Sequence, residues 1–339
     1  MAGATSPVGR AQRLAGWFAS FATVMAAPLT AAPAPDAINL SAERAAIARF
    51  QDADQRLQDI GWQLVRGNMG FCSRVVPSIG LQVQDAASYG RPEIARAALA
   101  LKGDFAVQTV AAGSPAALAA GFKRNREIVR IGRFDPNEWP VGSRVDWQRA
   151  ARAHDHIEAL LAEHGGIAIT FADGEALHVQ PVEVCAARFE LMGEGTAAAA
   201  DGARVVIGIE NPAFAYDDAM FAAMVAHELA HNLLGHTAWL DRNGRTSGKV
   251  RRTEREADRL TPWLLANSGY APEVAVRFMQ EWGSRHAPKL LRAPTHDGWT
   301  KRAQVIAGEL PLITRLRSTG DRADWSRQFR REIDPAQGS

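Results

Sequence analysis

The chain has 339 residues, 47% hydrophobic and 22% charged, the make-up of a globular protein with a sizeable core and room for two domains. Its formal charge is only +2 and no basic stripe runs along it, so nucleic acid is not expected as a partner. The excess comes from Arg10 and Arg13, since no acidic residue precedes Asp36.

Residues 1–34 read as a secretory leader. Arg10 and Arg13 form its positive region, and Leu14 to Ala27 forms an apolar run too short to span a bilayer comfortably. Small residues follow, with cleavage after Ala34 or after Ala26 as the two options. An exported chain is expected, periplasmic or secreted; left uncleaved, the leader would tether the chain near a membrane. No cysteine lies beside it, so a lipoprotein is not supported.

Residues 36–73 form an N-terminal helical segment. Ile47, Phe50, Leu57, Ile60 and Leu64 recur near helical spacing, with Ser41 as the expected cap, Glu43 in the first turn and Gly67 as the stop. This helix is read as a brace without chemistry. The two cysteines of the chain, Cys72 and Cys185, suggest a disulfide in an exported protein. Closing so long a loop stabilises by about 4 to 5 kcal/mol in the chain-entropy model. Zinc ligation by the pair is the weaker alternative.

Residues 74–185 read as an α+β domain. Strands are expected at Leu81 to Gln84, Phe105 to Val110, Glu127 to Ile131, Ile167 to Phe171 and Leu177 to Val184. A helical insertion is expected at Ala86 to Lys102, and a long helix from a cap at Asp146 to a stop at Gly165. Val110-Ala-Ala-Gly-Ser-Pro-Ala-Ala-Leu-Ala-Ala-Gly-Phe122, followed by Glu127-Ile-Val-Arg-Ile-Gly132, resembles a PDZ domain, with Asn125-Arg126 where Gly-Asp is usual. The resemblance implies binding of an extended peptide at a sheet edge, with Gly80 and Leu81 in the loop that holds a terminal carboxylate. A spacer that shields the active site is the alternative. His154 and His156, two apart, do not share a helix face as a metal pair would and are expected to face solvent.

The chemistry concentrates in Phe221 to His236, which contains His227-Glu228-Leu229-Ala230-His231. Four residues make about one helical turn, so both imidazoles leave one face, as two nitrogen ligands of one tetrahedral zinc must. Glu228, beside them, is placed to take a proton from an attacking water. Asp217 or Asp218 can cap this helix and Gly235 can end it. Ala, Met, Val and Leu fill most other positions, so it should be buried nearly all round, where polar side chains are costly unless they bind something.

A third ligand is available downstream in Thr253-Glu-Arg-Glu-Ala-Asp-Arg-Leu-Thr-Pro-Trp-Leu264. Glu254 and Asp258 share a helix face, and Ala257 is small enough for close packing. Glu254 would complete two histidines and a carboxylate with one position open, and Asp258 would orient a histidine from behind. The intervening Thr237 to Arg252 is polar and basic, read as a linking loop and a candidate lid. Pro272 starts a further helix through Trp282, and Arg322 to Ile333 is a charged helix or a loose tail.

His227-Glu228-x-x-His231 with Glu254-x-x-Ala257-Asp258 resembles metallopeptidase family forty-eight, the group of HtpX, the CAAX prenyl proteases and BepA. Thr196-Ala-Ala-Ala-Ala-Asp201-Gly202 resembles that family's Asn-Ala-x-Ala segment, and Thr295-His296 with Arg302 its Thr-His-Pro…Arg segment; Thr196 replaces Asn and Asp297 replaces Pro. The pattern is not that of metzincins, for which Gly235 and His236 are each displaced by one position. The resemblance implies one zinc ion per chain on His227, His231 and Glu254, with Glu228 as base and His296 as a further catalytic residue. It implies a mainly helical zincin domain over 186–310, followed by a helical tail over 311–339. The strand within Arg204 to Glu210 is then expected as the edge along which a peptide lies. The function expected is an exported zinc endopeptidase acting on unfolded or misfolded polypeptides. Its rival is a non-catalytic peptide-binding module with a structural or latent metal site.

Overall fold

Helix α1 (Leu40–Asn68) contributes to one hydrophobic core and packs against the strand-rich body that holds another. In the computed structural model, which describes residues 38–142, 145–286 and 296–333, Asn39 caps this helix by accepting the Ser41 and Ala42 N–H groups at 3.1 Å. The cap expected at Ser41 therefore lies two residues earlier. Gly67 does not stop the helix. It stands where a side chain would come within 2.6 Å of the Asn267 carbonyl oxygen, so glycine serves close approach there. The leader expected at 1–34 and Thr295 lie outside the described residues.

The first core belongs to a strand-rich body. It comprises β1 (Val75–Ser78), β2 (Leu81–Asp85), α2 (Pro92–Leu99), β3 (Phe105–Val110), α3 (Pro115–Leu118), β4 (Ile128–Ile131), α4 (Gln148–His164), β5 (Ile167–Phe171), β6 (Ala176–Val179) and β7 (Val182–Cys185). β2 pairs with β3, β1 with β7, and β4, β5 and β6 form a meander, all antiparallel. Ala153, Ile157 and Leu161, at i, i+4 and i+8 on α4, lie in this core with Val83, Phe105, Ile128 and Ile169. The helix starts at Gln148, whose N–H bonds Asp146, and ends at Gly165 with φ +66°. The single strand expected at Leu177 to Val184 is two strands. Pro181, which lacks an N–H, stands between them, and β7 leaves its neighbour to pair with β1.

α1 faces this body with polar groups. Gln51 and Asp54 are fully buried; Gln51 donates to Gln84 and Asn125, and Asp54 accepts from Gln58 and Gln108. Burial outweighs these bonds and pushes the Asp54 carboxyl up to about 6. Further along, Leu57, Ile60 and Leu64 turn into the second core.

That second core lies among β8 (Arg188–Met192), β9 (Ala198–Ala200), β10 (Arg204–Gly208), α5 (Asp218–Leu233), α6 (His236–Asn243), α7 (Ser247–Asn267), α8 (Val274–His286), α9 (Trp299–Ala307), α10 (Leu310–Ser318) and α11 (Trp325–Gln328). The architecture is α+β. β10 is the central strand, parallel to β8 and antiparallel to β9. The expectation of an edge at Arg204 to Glu210 is corrected: Val205 and Ile207 are fully buried, and the sheet's edges are β8 and the alanine strand β9, of which β9 lines the cleft described below. The loop expected at Thr237 to Arg252 is largely helical, because Trp239 and Leu240 bury against Ile333, with Val250 packed alongside. The segment after α10 is docked, with Trp325, Phe329 and Ile333 buried and Trp325 Nε1 donating to Asn68 at 2.9 Å.

Cys72 and Cys185 form the expected disulfide, fastening the end of α1 to β7 across 113 residues of chain. Replacing both with serine is expected to lower the unfolding free energy by about 4–5 kcal/mol, read from urea titrations of oxidised wild type and variant. No helix among the described residues is long and apolar enough to cross a membrane.

Candidate metal centre

Asp217 caps α5, its side chain accepting the Met220 N–H at 2.8 Å. Met220 to Ala226, Leu229 and Ala230 are buried, as their composition predicts, and His227, Glu228 and His231 are left facing a cleft of about 470 Å³. α7 packs along α5, with the fully buried Ala257 in the shared core. This brings Glu254 opposite the two imidazoles.

Three ligand atoms converge. His227 Nε2 and His231 Nε2 are 3.4 Å apart, and Glu254 carboxylate oxygens lie 3.4 Å from the first and 3.6 Å from the second. Ligands held at about 2.0–2.1 Å by a tetrahedral zinc stand about 3.3–3.4 Å from one another. The nitrogen–nitrogen separation matches an edge of that tetrahedron, and a different Glu254 oxygen stands near each nitrogen, Oε2 beside His227 and Oε1 beside His231. His227, His231 and Glu254 are the metal-competent cluster found among the described residues.

Each imidazole is held from behind. His227 Nδ1 lies 3.2 Å from Asp258, which accepts two bonds from Arg302 at 2.7 and 2.8 Å. Burial alone would raise the Asp258 pKa, but Arg302 and His227 outweigh burial and lower it. His231 Nδ1 lies 3.0 Å from His236 Nδ1, and His236 Nε2 lies 3.0 Å from Glu256. His236 and Glu256 were not expected here. Their only sequence signal is a histidine just beyond the left-handed Gly235 and an acid two residues after Glu254.

His296 Nε2 reaches Glu254 at 3.1 Å, and the neighbouring Asp297 is held by Arg255 at 3.0 Å. Asp297 therefore anchors this segment. Gly80 and Leu81 lie elsewhere, lining a narrow cavity of about 100 Å³ with Trp62, His154 and Phe189. The Gly80 N–H is bonded to Ser78 at 3.2 Å. His154 does not face solvent as expected; it lines this cavity, where burial pushes its pKa down to about 4. His156 packs edge-on against Phe134 and Trp139.

The charges in the centre are uneven. Burial pushes His231 down to about 3, so its imidazole is neutral, the form a metal ligand needs. Burial also opposes a charge on His227, but bonds to Asp258 and Glu254 win and raise it to about 10. A metal must displace that proton, and below pH 10 the proton competes. Apparent zinc affinity is therefore expected to rise about tenfold per pH unit between pH 6 and 8, with about one proton released per ion. Calorimetry in buffers of different ionisation enthalpy measures both quantities. Burial and the nearby Glu254 charge raise the pKa of Glu228.

No family model, no curated protein and no solved structure matches this chain.

Proposed function

We propose that the chain is a zinc-dependent endopeptidase related to metallopeptidase family forty-eight, cleaving unfolded or misfolded polypeptides outside the cytoplasm. One observation carries this: two imidazole nitrogens 3.4 Å apart and the Glu254 carboxylate converge closely enough to share one metal ion, and Glu228 lines the same cleft. Zinc bound there supplies Lewis acidity, polarising a carbonyl and lowering the pKa of water toward about 7. His227, His231 and Glu254 would hold the ion. Glu228 takes a proton on its carboxylate from the attacking water and returns it to the leaving amine. His296, bonded to Glu254 and lining the cleft, acts beside the reacting carbonyl.

The cleft suits a peptide. β9 offers a sheet edge along one side, and Met224, Phe278, Met279, Trp282 and Ile306 supply an apolar wall for a side chain near the cleaved bond. We read the strand-rich body as PDZ-like, supported by its antiparallel pairs around α4. Export is supported by the disulfide, which persists in oxidising compartments.

Casein incubated with the purified chain should be cleaved, with activity lost to a chelator and restored by zinc. A zinc-loaded protein that leaves casein and short peptides intact would overturn the peptidase and favour the peptide-binding module.

A further inference from the structure

Behind His231 runs a line of buried groups that peptide hydrolysis does not itself require. His236 is 1% exposed and Glu256 is fully buried. Burying a carboxylate and an imidazole is costly unless each is fully partnered. Here each is. Glu256 Oε2 accepts from His236 Nε2 at 3.0 Å and from Arg331 Nε at 2.8 Å. Its other oxygen accepts the backbone N–H groups of Glu332 and Ile333. Arg331 also donates to the Leu234 carbonyl at 3.0 Å, tying the same segment to the end of α5.

The donors and acceptors run in one direction. For His231 to present the Nε2 lone pair to a metal, its proton must sit on Nδ1. His236 Nδ1, 3.0 Å away, must then accept, which leaves the His236 proton on Nε2, facing Glu256. Glu256 is an acceptor with donors on both oxygens. The arrangement parallels His227, Asp258 and Arg302: a ligand imidazole, a buried carboxylate and an arginine. It differs by one interposed imidazole.

We infer that His236 and Glu256 are positioning residues that fix the tautomer and orientation of His231, clamped by the segment 331–333. This rests on the metal-site reading above, and the test separates the two. Zinc affinity is measured by competition with a chromophoric chelator, and the visible spectrum of the cobalt-loaded protein reports ligand geometry. His236→Leu, which removes the acceptor, should weaken zinc binding about 10–100-fold and shift the cobalt bands. His236→Asn, whose side-chain carbonyl can accept the His231 proton, should recover most of that loss. Arg331→Ala, at the half-buried arm of the clamp, should weaken binding in the same direction and decides the matter if His236→Leu does not fold. Wild-type zinc affinity and an unchanged cobalt spectrum in Arg331→Ala and the His236 variants would overturn the relay and leave the metal centre standing. A wild-type protein that takes up no zinc would overturn both.

Discussion

Glu228→Gln is expected to cut peptide-bond cleavage by about 10²–10⁴-fold while the protein keeps its fold and its zinc. The substitution conserves shape and removes the carboxylate proposed to carry a proton between water and leaving amine. Glu228 is not one of the three converging ligands, so the triangle of His227, His231 and Glu254 should be untouched. Its position supports the role: Glu228 adjoins His227 in sequence and lines the same cleft as the three converging groups. Turnover of a fluorogenic peptide, measured beside zinc content, checks this. Wild-type turnover in a zinc-loaded variant would mean another group moves the proton.

Glu254→Ala is expected to weaken zinc binding by more than about 100-fold, the upper end of what losing an outer partner costs, because it deletes a direct ligand. It removes the charged corner of the triangle and leaves two imidazoles 3.4 Å apart without a counter-charge between them. His296 and His227 both lose a bonding partner. Metal analysis after dialysis measures the outcome, and full zinc occupancy in the variant would point to a different third ligand.

How much of this was legible in the chain differed by element. The motif helix was, because its polar residues interrupt an otherwise continuous apolar run and are thereby marked as functional. Glu254 and Asp258 were legible as a same-face pair, though only beside the upstream histidines. His236 was not: its partner Glu256, and Arg331 that bonds Glu256 in turn, are remote in sequence, and only folding brings each pair within 3.0 Å. The misread loop at Thr237 to Arg252 has a loop's composition, yet burial of Trp239 and Leu240 outweighs local preference. β1 escaped notice because Pro77 breaks the strand signal, and an edge strand tolerates it. The edge at β9 was obscured because three alanines carry no strand preference.

The most direct test of the three-ligand centre is crystallographic: anomalous diffraction from zinc-loaded protein on both sides of the zinc absorption edge. A single peak about 2.0–2.1 Å from His227 Nε2, His231 Nε2 and a Glu254 oxygen is expected. No peak there, or a zinc ion held elsewhere with Glu254 uninvolved, would contradict it.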